Sequence, residues 1–191
     1  MVKPEITNRL RGSLGELYYK EYCDQKGWAY ASLESIFNNS DFPMASGILE
    51  FKKGFHRIRV RIPDYRIPEI LTISTPTNNS RGSPSFVFDF LACKVGEHEK
   101  YDAIIENPQL CWVEIKTGRG TLSANQVESL RQINLALAMF HIGDILVSPE
   151  KIEMSWDIKS GQEWLEELEI VEKEEEEEDW YGYGYGYYGY Y

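Results

Sequence analysis

Long apolar runs are missing from this 191-residue chain. None approaches the roughly 20 residues that a helix needs to cross a bilayer, so no membrane partner is expected. Cysteine is scarce and odd in number: Cys23, Cys93 and Cys111 stand far apart. Without a Cys or His pair at ligand spacing, a structural zinc site is not expected. The three thiols read instead as reduced, buried residues of a cytosolic protein. The opening "MVKPEITNRLRG" lacks the apolar core of a secretion signal, which also points to a cytoplasmic location. His56, His98 and His141 are scattered, and none has a partner at catalytic spacing. No base-reading motif is present, so any contact with DNA depends on shape or backbone.

What is there begins with an uneven distribution of charge. The net charge is −11, but Glu163 to Tyr191 holds 11 acidic residues and one lysine. The preceding 162 residues carry 20 acids against 19 bases, so the body is near neutral and a nucleic-acid partner remains open. With 42% hydrophobic and 27% charged residues, the chain has the composition of a folded domain. The expected division is a domain over 1–170, with an insertion at about 35–85, and a low-complexity tail over 171–191. The tail, "VEKEEEEEDWYGYGYGYYGYY", repels itself and has no pattern that builds a core. It is expected to be disordered and to serve as a solubilising or vestigial tail; the alternative is a segment that competes with DNA for basic surface or holds a protein partner.

"SLGELYYKEYCDQKGW" predicts a first helix with an apolar stripe of Leu14, Leu17, Tyr18, Tyr22 and Cys23, ended by Gly27. "ILEFKKGFHRIRVRIP" predicts a hairpin turning at Lys53-Gly54. "FVFDFLACKV", "YDAIIE" and "LCWVEIKT" predict an antiparallel meander of three strands. "SANQVESLRQINLALAMF" predicts a second helix, and "GDILVS" and "KIEMSWDI" predict later strands. A short final helix, "SGQEWLEELEI", opens with the capping-box residues Ser160 and Glu163. The plan is α/β with a mixed sheet.

Within the third strand, Glu114 and Lys116 are two residues apart and share one face, opposite Cys111, Val113 and Ile115. Such a pair can be a surface ion pair on an edge strand, which contributes little. It can also be a metal-binding carboxylate beside a cation that handles phosphate. Hydrolysis of a phosphodiester needs a hydroxide at neutral pH and positive charge against the anionic transition state. Magnesium or manganese supplies both when two or three carboxylates hold it. Carboxylates for that role come from Glu16 on the first helix and from Asp89 or Asp102 on the strands before Glu114. Asp102 is twelve residues before Glu114, across a hairpin that would centre on Pro108, whereas Asp89 lies in a more apolar setting.

These residues carry a resemblance. Residues 12–30 and 84–147 resemble the PD-(D/E)-x-K nuclease superfamily, most closely its archaeal Holliday-junction-resolvase-like branch. "EIK" at Glu114–Lys116 matches the (D/E)-x-K strand. "TGRGTLSANQ" resembles the turn and helix start that follow it, and "GSLGELYYKEYCDQKGW" resembles the helix bearing a metal-holding glutamate. The resemblance implies a restriction-endonuclease-like αβββαβ core and a Mg2+- or Mn2+-dependent endonuclease acting on DNA, with junction or flap-like substrates. It implies metal ligation by Asp89, Glu114 and Glu16, with Asp102 the alternative to Asp89. Lys116 would orient water or stabilise the transition state. Gln126 stands where relatives often carry a glutamine; three residues after Ser123, it also completes a capping box. Relatives often pair as homodimers, though nothing in this sequence marks an interface. A nuclease-fold module that binds nucleic acid or protein without cutting is the alternative. Two further places could meet phosphate: Thr117 and Arg119 in the glycine turn, and Arg57, Arg59 and Arg61, which share one strand face.

Overall fold

The computed structural model describes residues 7–44, 46–79, 82–95, 103–118 and 120–142, and the backbone of 155–159. Expectations for "GDILVS", the final helix, the 171–191 tail, Asp102 and Arg119 lie outside the described residues.

The first helix, α1 (Asn8–Lys26), starts at Thr7, whose side chain accepts the Leu10 N–H. It ends at Gly27 in the left-handed region (φ 69°), where glycine carries no steric penalty. Its buried line is Gly15, Tyr19 and Cys23, with Leu17 turned outward at 62% exposure. The expected stripe is thus rotated: the helix lies on aromatic neighbours that fit Tyr19 rather than Leu17. Tyr19 packs 5.1 Å from Phe90 and 4.9 Å from Phe140, ring centre to ring centre. A Cβ on Gly15 would lie 3.0 Å from Ile115 and 3.2 Å from Thr117, so the absent side chain is what lets the helix approach that strand.

Strand β1 (Trp28–Ser32) follows, then α2 (Leu33–Phe37), β2 (Ile48–Lys53) and β3 (His56–Arg61). The hairpin forms as the alternation predicts, but it turns at Gly54 and Phe55, one residue past the expected Lys53-Gly54, with Lys53 opposite His56. A 3-10 turn at Asp64–Arg66 leads into α3 (Ile67–Ser74) and the two-residue strands β4 (Thr77–Asn78) and β5 (Pro84–Ser85). Then come β6 (Phe90–Lys94), β7 (Ile104–Ile105), β8 (Leu110–Thr117), α4 (Ala124–Leu130), β9 (Leu137–Ile142) and β10 (Ser155–Lys159).

The fold is mixed α/β. One eight-stranded mixed sheet runs in the order β10-β9-β8-β6-β1-β2-β3-β7, and β4-β5 form a separate pair. At its centre β6 lies between β1 and β8 and is antiparallel to both, and β9 lies parallel to β8 across the α4 connection. The expected meander is corrected here. Ile104–Ile105 of the expected middle strand do not sit between the other two; they pair with β3 in parallel at the far edge, while β6 pairs directly with β8. No hairpin forms around Pro108. The second helix is corrected too: it stops at Leu130, and "LALAMFHI" supplies β9. Its apolar residues suit either period, and the parallel partner β8 decides for a strand.

The sheet buries both faces across β1, β6, β8 and β9, and one face of the β2-β3 hairpin. Ala29, Phe51, Val60, Leu91 and Trp112 face α2 and α3, while Tyr30, Phe90, Cys111, Val113 and Phe140 face α1. Cys23, Cys93 and Cys111 are free and buried. Glu69 of α3 ties the first layer together: its Oε1 accepts the Trp112 indole N–H at 3.0 Å and the Leu135 backbone N–H at 3.1 Å. Among the described residues, no helix is long and apolar enough to cross a membrane.

Candidate functional site

Strand β8 is interior, between β6 and β9, and Glu114 and Lys116 lie where it runs past the end of β6 and pairs with β9 alone. They point to the Trp112 face, and Lys116 Nζ meets Glu114 Oε1 at 2.7 Å. The pair is buried, with side-chain exposures of 17% for Lys116 and 6% for Glu114. A loose surface bridge does not describe it. Lys116 also donates to Gln126 Oε1 at 3.0 Å.

Gln126 closes a capping box, as its spacing from Ser123 predicts. Its backbone N–H goes to Ser123 Oγ and its Oε1 accepts the Ser123 N–H at 2.9 Å, which closes the capping box of α4. Its Nε2 donates to the Val87 carbonyl at 2.8 Å. One amide thus links the helix start, the lysine and the segment leading to Asp89.

Asp89 lies one residue before β6, where its backbone N–H bonds to Val113 O at 3.1 Å. Its Oδ2 accepts the Ile115 N–H at 2.7 Å, which sets the carboxylate against the strand residue between Glu114 and Lys116. Burial, and then the negative charge of Glu114, push the Asp89 carboxyl up to about 7. The Ile115 N–H offsets part of this, Glu16 adds to the rise, and Lys116 opposes it. Glu114 is also raised, by burial first, against the pull of Lys116 and Gln126. Two carboxylates in one desolvated place resist ionising together, which is common where such groups do chemistry.

Glu16 stands apart. It projects from α1, on the other layer of the sheet, is half exposed, and pairs with Lys20 at 3.1 Å. Its charge reaches Asp89, but its side chain does not join Glu114. Among the described residues, no three His, Cys, Asp or Glu side chains are close enough to hold a metal ion together. The site therefore brings together Asp89, Glu114, Lys116 and Gln126, and leaves Glu16 at its rim.

Arg57, Arg59 and Arg61 do share the exposed face of β3, as the alternation predicts. They lie beyond β1 and β2 from the carboxylates; Arg57 pairs with Glu50 at 3.1 Å and Arg61 with Glu106 at 2.9 Å. Thr117 ends β8 under α1. Sequence reasoning missed Lys20, which lies 5.6 Å above the Phe90 ring, beside Asp89 in the chain. Its only sequence signal is the four-residue spacing from Glu16. No protein family, curated protein or solved structure matches the chain.

Proposed function

We propose that this chain is a metal-dependent endonuclease that hydrolyses DNA phosphodiester bonds, with a restriction-endonuclease-like core. The observation that carries the reading is the buried Asp89–Glu114 pair with Lys116 held beside it by Gln126. The order of α1, the antiparallel β1-β6-β8, α4 and the parallel β9 supports it, because this is the αβββαβ order that the E-x-K resemblance implies.

The donor set fits a hard divalent cation. Both carboxylates are desolvated and resist ionising together, and a cation held by them would relieve that repulsion. Asp89 and Glu114 would hold Mg2+ or Mn2+, and Glu16 would complete the shell after its side chain leaves Lys20. Bound there, the ion supplies Lewis acidity toward a phosphate oxygen and an acidified water. Lys116 is positioned to stabilise anionic charge on the phosphate or to orient the attacking water. Gln126 and Glu114 fix the lysine and leave it one proton of three to donate.

Glu114→Gln keeps the shape of the side chain. It is expected to lower Mg2+-dependent cleavage of branched DNA by at least a hundredfold while the protein stays folded by circular dichroism. Full cleavage by Glu114→Gln sinks the proposal. The Lys116–Glu114 ion pair also favours a second reading, a nuclease-fold module that binds without cutting, because the lysine already neutralises the glutamate. Thermal unfolding separates the two. The endonuclease gains stability from millimolar Mg2+ or Mn2+, and the binding module does not.

A further inference from the structure

The hairpin β2-β3 continues the sheet beside α1, whose Asp24 accepts the Gly54 N–H at the hairpin turn, and the face that α1 leaves uncovered forms the floor of a cleft of about 830 Å³. The cleft begins at Phe90, next to Asp89 in the chain, and at Lys20, which is paired with Glu16. It ends on the directly opposed pair Lys52 and Arg57 and on neighbouring Arg59. These four cations face two acids, Asp41 and Glu50, so the lining has a net positive charge in a protein of net charge −11. Two residues past Lys52 and Arg57 the hairpin turns, and Phe55 stands there fully exposed.

We infer that this cleft, on the α1 face of the sheet and opposite the face to which Glu114 points, holds an unpaired segment of DNA and leads it to Asp89 at the start of β6, so that the substrate is DNA with a single-stranded arm. The inference rests on the endonuclease reading for what the strand is delivered to. The binding itself is argued from the cleft. A volume of about 830 Å³ is in the range of small-molecule sites, roughly 300–1,000 Å³, and takes a few nucleotides of one strand rather than a double helix. A row of cations spaced along a strand follows a phosphate backbone without reading sequence, which agrees with the absence of a base-reading motif. An exposed aromatic ring beside such a row is a surface on which an unpaired base stacks, and stacking tolerates any base. In paired DNA the bases are not free to reach it.

Fluorescence anisotropy on the full chain in EDTA tests binding with cleavage switched off. The probes are a labelled 20-nucleotide oligo(dT) and a 20-base-pair duplex. The single strand is expected to bind at least tenfold more tightly. The double variant Lys52→Gln/Arg59→Gln is expected to weaken single-strand binding about tenfold and to flatten the slope of log affinity against log salt by about 1. Phe55→Ser, a change at an exposed turn, is expected to weaken it severalfold without altering that slope. Equal affinity for duplex and single strand overturns the inference, as does oligo(dT) binding unchanged in both variants. Glu114→Gln separates the two proposals. If it still binds oligo(dT) while wild type fails to cleave with Mg2+, the cleft stands and the endonuclease reading falls. Cleavage of flap DNA with an unchanged KM in the double variant leaves the endonuclease and removes the cleft.

Discussion

At the residue scale, the chemistry concentrates in two carboxylates that share too little water. Asp89 has a folded-state value of about 7 against an ordinary value near 3.8, with burial the leading cause. A carboxyl raised on folding makes the folded protein bind more protons than the unfolded chain between those values. Stability therefore falls as pH rises from about 4 to about 7, and Glu114 is raised in the same direction. Asp89→Asn can keep an acceptor for the Ile115 N–H and removes the charge. It is expected to raise the melting temperature at pH 8 by a few degrees and to flatten the pH dependence over that interval. An unchanged pH profile in melts of the two proteins counts against the raised carboxyl. On the proposed metal-binding reading a cation would compete with the protons, so the melting shift from Mg2+ is expected to grow between pH 5 and 8.

At the element scale, β8 is the strand around which everything is arranged. One of its faces meets α1 through Gly15, and the other carries Trp112, Glu114 and Lys116. The insertion supports it from below through Glu69, which accepts from Trp112 and from Leu135 just before β9. Glu69→Ala leaves a buried indole N–H and a backbone N–H unpaired. The expected loss is about 2–4 kcal/mol in urea unfolding, whereas Glu69→Gln, which keeps an acceptor, loses less than about 1.5. Equal losses in the two variants would show that the carboxylate charge, rather than the two N–H bonds, is what matters. The hairpin, the first helix and its Gly27 cap were legible in local patterns. The partner of β6 was not, because pairing between Phe90–Lys94 and Leu110–Thr117 skips the intervening segment. The end of α4 was not legible either, since the run after Leu130 is apolar at both helical and strand spacing.

At the scale of the whole molecule, charge is segregated. The cleft is lined with more bases than acids, while the final 21 residues carry a net six negative charges. Removing 171–191 is expected to raise affinity for oligo(dT) severalfold at 50 mM salt and to change it little at 300 mM, where screening is strong. Anisotropy titrations at the two salt levels check this, and a salt-independent effect would point to a contact other than charge. The sequence by itself determined the candidate groups: Glu114 and Lys116 on one face, the arginine row on another, and the capping glutamine. These follow from alternation and helix-start chemistry, which act over a few neighbours. Only the tertiary structure set Asp89 against Ile115, turned Glu16 to the rim, and opened the cleft beside them. Those relations depend on which strands pair across dozens of residues, and burial of the whole sheet decides that pairing.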